Sequence, residues 1–242
     1  LFHDSDPSLL AQSDAESVFW PDGMLRVTGR EYNALLRAPC YAEGKAGERT
    51  MTCSSCHSMH QQAGEETSVE EWADDQLKPG MRGNEACLQC HPSFGKDIQA
   101  HTHHAVDSAG SNCINCHMPH TSLGLLKAVR SHTISSPAAK ATGSAGKPNA
   151  CNLCHLDKTL EWTADKLSEW YGQPSPTLGE EDSSIAASVL WALKGNAAQR
   201  ALAAWSMGWK PALEAAEPDW MGYYLIQSMF DSYDAIRYIS YR

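Results

Sequence analysis

The chain has 242 residues, of which 42% are hydrophobic, with 17 Gly and 12 Pro and a mean hydropathy of −0.42. Its length suits one or two domains, but the apolar supply is lean, so something besides side chains is expected to fill part of the interior. A net charge of −10 argues against nucleic acid or an anionic membrane as partner, and no apolar run nears the roughly 18 residues of a membrane span.

In chain order, residues 1–50 read as loop with one short helix, Glu31 to Ala38, stopped by Pro39. Thr67 to Leu77 reads as a helix with a Thr67-x-x-Glu70 capping box, Val69, Trp72, Ala73 and Leu77 on one face, and Pro79-Gly80 at its end. Six acids and no base lie between Glu65 and Asp75, a solvated face or else a patch for a basic redox partner. Ser135 to Lys147 has the composition of a linker. Leu160, Ala164, Leu167 and Tyr171 share a helical stripe, so Leu156 to Tyr171 is expected to be helical up to Gly172. Beyond Ser183, short helices are expected over Ile185–Lys194, Ala197–Trp209, Asp219–Phe230 and Tyr233–Tyr241, broken at Gly195, Pro211 and Pro218. This tail resembles HEAT-type helical pairs and carries neither Cys nor His. The expected fold is mainly α with extensive loop: a domain over residues 1–172 and a HEAT-like helical segment over 173–242. Trp162, Trp170, Trp191, Trp205, Trp209 and Trp220 read as packing residues.

Nine cysteines carry the chemistry. Eight form four pairs: Cys53/Cys56, Cys87/Cys90, Cys113/Cys116 and Cys151/Cys154. Each pair is followed at once by a histidine, His57, His91, His117 and His155. C-x-x-C-H is the attachment signature of c-type haem. Two thiols form thioethers with the two porphyrin vinyl groups, and the adjoining histidine becomes the proximal iron ligand. A zinc site or a thioredoxin-like pair needs no histidine there. With 11 histidines in 242 residues, four such placements by chance come to roughly 1 in 200,000. The cofactor expected is therefore haem c, four per chain, which implies an exported protein in the periplasm, at the cell surface or outside the cell. No positively charged, apolar leader opens the chain, so an export signal is expected to have been removed or to lie outside this sequence. The ninth cysteine, Cys40, has no remaining partner and reads as a buried free thiol.

Seven further histidines, His3, His60, His101, His103, His104, His120 and His132, exceed the four second axial positions. His60, His101, His104 and His132 are the expected distal ligands, with His120, His3 and His103 behind them. His60 and His120 each follow a proximal histidine by three residues, too close to fold over the same haem but able to reach a neighbouring one. Met59 and Met118 are likewise too close to ligate their own irons and read as packing residues. No C-x-x-C-K motif marks a catalytic haem.

From Arg26 to Gly172 the chain resembles a group of bacterial multihaem c-type cytochromes described as nitrite-reductase-like or associated with tetratricopeptide or HEAT repeats. The resemblance rests on Phe19-Trp20-Pro21-Asp22-Gly23, Gly29-Arg30-Glu31-Tyr32-Asn33, Pro39-Cys40-Tyr41, Cys53 to His60, His101-Thr102-His103-His104, Gly110-Ser111-Asn112-Cys113, Cys116-His117-Met118-Pro119 and Pro148-Asn149-Ala150-Cys151 through Lys158. In such relatives an Arg-Asp-His segment supplies a ligand. Here it reads Arg130-Ser131-His132, which implies His132 as a ligand. A basic residue is common in relatives where this chain has His120. Relatives are commonly longer at both ends.

Electron transfer through bis-histidine haems is the leading expectation, by a carrier rather than an enzyme, with redox proteins or neighbouring cytochrome subunits as partners. A ligand donated between copies, as from His3, would make the chain a subunit of a homo-oligomer or filament. The alternative is a reductase of a small nitrogen or sulfur oxyanion at an open-site haem.

Overall fold

The computed structural model describes residues 17–46, 50–61, 68–73 and 75–242. It is mainly helical, as expected, and among the described residues no helix is long and apolar enough to cross a membrane. The order is α1 (Glu31–Leu36), α2 (Pro39–Ala46), α3 (Cys53–Cys56), α4 (Val69–Ala73), α5 (Glu85–Leu88), α6 (Ile98–Thr102), α7 (Cys113–His117), β1 (Ser122–Gly124), β2 (Lys127–Val129), α8 (Ala139–Ala145), α9 (Ala150–Cys154) and α10 (Leu160–Tyr171). The remainder is α11 (Glu180–Ser184), α12 (Ala187–Lys194), α13 (Ala197–Met207), α14 (Lys210–Ala215), α15 (Met221–Ser228) and α16 (Asp234–Tyr241).

Several boundaries differ from those read in the sequence. α1 ends at Leu36, two residues short of the expected Ala38, and Pro39 opens a further helix, α2, because the first turn needs no N–H donor from it. Only Val69–Ala73 of the expected 67–77 helix is helical. Its C-terminal end turns at Asp75 and Gln76, both at positive φ, and its capping residue Thr67 lies outside the described residues. The linker composition of 135–147 conceals α8, closed by Gly146 at φ 64°, whose Ala139 packs against Leu160, Ala164 and Leu167 of α10. α10 starts at Leu160 because Thr159 Oγ1 accepts the Trp162 N–H at 3.0 Å, and Gly172 in the left-handed region ends it. Elements not expected from the sequence are the short helices α3, α5, α6, α7, α9, α11 and α14, and the antiparallel hairpin β1–β2, with Ser122 opposite Val129 and Gly124 opposite Lys127.

α13 is the hub. Asn196 caps it through the Ala198 and Gln199 N–H groups while the Gln199 side chain returns to the Asn196 N–H, a capping box. Five alanines in eleven residues let neighbours approach closely on every side. Ala198 and Leu202 pack on Trp20, Met24 and Ala128; Ala203 meets Leu153 and Trp191; Ala201 and Ala204 meet Ile236 and Ile239. These apolar clusters draw residues from both sides of position 172. Trp20, almost fully buried, also donates its indole N–H to the Thr121 carbonyl at 3.0 Å, fastening the N-terminal segment beside the hairpin.

Candidate functional site: paired histidines around four cysteine motifs

The C-x-x-C segments lie on or at the end of short helices, where the spacing of three puts both thiols on one face. Asparagines hold these turns in place. Asn112 and Asn149 accept the Ile114 and Cys151 N–H groups. Asn84 accepts the Cys113 N–H at 2.8 Å and donates to the Ser111 carbonyl at 2.9 Å, tying the second motif to the third. Asn152, fully buried within the fourth motif, donates to the Lys158 and Thr159 carbonyls and accepts from Thr163 Oγ1, so it anchors that motif to the start of α10.

Three motif histidines face spare histidines. The rings of His57 and His132 lie 6.2 Å apart, centroid to centroid, at 30°; His117 and His101 lie 6.2 Å apart at 5°; His155 and His104 lie 6.0 Å apart at 30°. One metal between two imidazoles, with metal–nitrogen bonds of about 2 Å, places the ring centroids roughly 6 Å apart. These three pairs could each hold a six-coordinate iron. Among the described residues no three His, Cys, Asp or Glu side chains gather as a single metal site.

Hydrogen bonds orient the rings. Nδ1 of His57 bonds the Asp75 carbonyl at 2.8 Å, Nδ1 of His104 the Thr102 carbonyl at 2.6 Å, and Nδ1 of His132 the Arg130 carbonyl at 3.2 Å. A carbonyl accepts only from a protonated nitrogen, so each bond leaves the Nε2 lone pair free to ligate. Asp75 presents its carbonyl from φ 68°, an unusual conformation for a non-glycine residue. Burial pushes the pKa values of His117, His132 and His155 down, favouring the neutral imidazole that binds metals.

His132 is placed by the residue two before it. Arg130 Nη1 donates to the Ile114 and Met118 carbonyls and Nη2 to Asn115 Oδ1 at 2.8 Å, so the guanidinium grips the third motif while His132 extends to the first. In the His-Thr-His-His run, His103 takes φ 56° and ends α6. That turn separates the three histidines. His101 goes to His117, His104 goes to His155, and His103 stacks on Trp170 at 4.5 Å and 12°. Gly110 leaves room for the His104 ring, since a Cβ there would overlap it.

The thiols follow a sequential path. Cys56 and Cys90 are near enough for their charges to interact, Cys87 and Cys113 are hydrogen bonded, and Cys116 interacts with Cys151 and Cys154. Neighbouring motifs in the chain are thus neighbours in space. Burial pushes Cys116 up to about 11 and Cys151 and Cys154 up to about 12, which favours the thiol over the thiolate at neutral pH.

Other expected residues have different surroundings. His60 and His91 are exposed, and neither ring faces a second histidine among the described residues. His3 lies outside them. His120 packs between Trp205 and Trp209 at 4.5 and 5.1 Å, facing the hub helix, and burial followed by the Arg130 charge pushes its pKa down to about 3. Met59 is no packing residue; it is 54% exposed. Cys40 is half-buried, not fully buried, and lies within electrostatic reach of Cys90. Of the six tryptophans, Trp191 is buried in an apolar cluster, whereas Trp162 and Trp170 lie against His155 and His103. Asn84 and the Asp75 carbonyl were missed from sequence, and Gly110 and Arg130 entered it only as parts of the family resemblance, without these roles. Comparison with protein-family models, curated proteins and solved structures finds no match to this chain.

Proposed function

We propose that this chain is an exported electron carrier holding four c-type haems, attached at Cys53/Cys56, Cys87/Cys90, Cys113/Cys116 and Cys151/Cys154 with His57, His91, His117 and His155 as proximal ligands. The observation that carries the reading is the set of three imidazole pairs at 6.0–6.2 Å, each joining a motif histidine to a spare one. A chance surface histidine has no reason to stand at the separation that two imidazoles on one metal require, and three do. His132, His101 and His104 are the distal ligands of the first, third and fourth haems. The bound haems supply reversible one-electron iron chemistry. The protein's part is to hold imidazoles on both faces, to keep those imidazoles neutral, and to set the four groups in sequence order.

The adjacency of successive cysteine pairs supports an electron path running from the first motif through the second and third to the fourth. The lean apolar composition fits an interior partly filled by porphyrin, and the resemblance to multihaem cytochromes points the same way. Residues 173–242 serve as a HEAT-like helical buttress, with α13 packed on the segments that carry the motifs. Partners are redox proteins or neighbouring cytochrome subunits. Glu70 and Asp75, the exposed described members of the acidic stretch, favour a basic one. Denaturing mass spectrometry tests the reading. Four haem masses should stay with the polypeptide after acid–organic extraction, and extractable haem or stoichiometric zinc would overturn it.

A further inference from the structure

Three of the four motif histidines face a second histidine; His91 does not, among the described residues. Resting on the four-haem reading, we propose that His60 is the distal ligand of the second haem, the one attached at Cys87 and Cys90, so that the loop after the first motif closes over the second.

The argument begins with the remaining histidines. His101, His104 and His132 are each committed to another motif. His103 lies flat on Trp170. His120 is held between two tryptophans of the hub helix and the turn after it. Of the described spare histidines, His60 alone has a ring with no ring neighbour and no hydrogen bond; only its backbone carbonyl is engaged, by Ser58 Oγ at 2.9 Å. The second site also differs from the others in what covers it, for His91 and the run from Pro92 to Asp97 are exposed. This run follows the proximal histidine directly, so the distal ligand has to come from another part of the chain.

His60 has that reach. It follows Cys56 by four residues, and Cys56 lies within electrostatic reach of Cys90. Four residues span up to about 13 Å when extended, enough to pass from one thioether to the far face of the neighbouring porphyrin. His57 is pinned to the Asp75 carbonyl, and the Ser58 N–H to the Gln76 carbonyl at 2.8 Å, so the loop leaves from a fixed base and only its outer residues need to move. Phe94 packs against both His91 and His101, at 6.2 and 4.6 Å. Three residues past His91, it cannot fold over the same haem and belongs to the proximal side, which leaves the distal side to the first-motif loop. A ligand borrowed from the preceding motif would couple the first two haems mechanically as well as electronically.

The test uses the holoprotein, with four haems confirmed by mass, so that failure of the haem reading is recognised separately. Electron paramagnetic resonance of the oxidised protein should show only low-spin haem in the native chain. In His60→Ala one haem in four should become high-spin and bind carbon monoxide on reduction, and added imidazole should restore the low-spin signal. In a Cys87→Ser/Cys90→Ser background, shown by mass to carry three haems, His60→Ala should create no new high-spin haem. A native protein already one-quarter high-spin would overturn the proposal, as would a His60→Ala protein that stays wholly low-spin or a new high-spin haem in the three-haem background. A His3→Ala variant that loses one low-spin haem while His60→Ala loses none would assign the position to the N-terminal segment instead.

Discussion

Gly110→Ala tests whether the imidazole pair at the fourth motif, His104 with His155, is as tightly built as its geometry implies. The backbone at Gly110 is not in the left-handed region, so alanine is conformationally acceptable and the effect is purely one of space. A methyl group there would overlap Cγ and Cδ2 of the His104 ring and stand 2.9 Å from its Cβ. Carbon atoms rest at about 3.5–4.0 Å, so the ring base must retreat by roughly 0.6–1 Å, and the ring atoms further still. Metal–ligand distances tolerate only about 0.2 Å. His104 also cannot pivot freely, because its Nδ1 is tied to Thr102 and its carbonyl accepts from Ser111 Oγ. The expected result is loss of His104 from one iron, one haem in four high-spin by electron paramagnetic resonance, and a destabilisation of about 1–3 kcal/mol from overpacking. Haem content should stay at four, since Cys151 and Cys154 are untouched. A Gly110→Ala protein with four low-spin haems and unchanged thermal stability would refute the placement of His104 opposite His155.

Other expectations follow from the same structure. The pKa of His120 is lowered by burial to about 3, so between that value and about 6.5 the unfolded chain binds the extra proton and stability falls as pH falls, by up to about 1.4 kcal/mol per pH unit. His120→Leu should flatten the acid limb of a pH–stability curve by one proton; an unchanged slope would place His120 in water. Asn152→Leu strands the Thr163 hydroxyl and the Lys158 and Thr159 carbonyls, and should cost about 1–3 kcal/mol in denaturant unfolding, with equal stability counting against the anchor. At the hairpin tip Leu125 and Leu126 take φ 49° and 60°, where leucine is strained. Leu125→Asn with Leu126→Gly suits the type I′ turn and should raise stability by about 1–2 kcal/mol; a drop in melting temperature would mean the tip is held by other contacts.

How much could be read without coordinates depended on the range of the interaction. Four Cys-x-x-Cys-His repeats are local patterns, and the proposed haem attachment rests on five contiguous residues wherever the chain goes. The same holds for the helices of the C-terminal part, where stripes such as Leu160, Ala164 and Leu167, with Thr159 and Gly172 at the ends, carry their own start and stop signals. Composition misled where packing outweighed propensity. Ala-Lys-Ala-Thr-Gly-Ser-Ala reads as linker, yet α8 forms because Ala139 has the α10 face to lie on. The Leu-Leu hairpin tip went unseen because its turn residues are not those that favour positive φ. The pairing of histidines was beyond sequence altogether. His132 is 75 positions from His57, and what brings them together is the Arg130 guanidinium on the third motif, a left-handed Asp75 and a long-range backbone path. Sequence spacing could nominate His101 and His104 as ligands, but the reversal at His103 decides that they serve different motifs. Bonds within a few residues are encoded where they act; contacts across the chain exist only once the whole fold has closed.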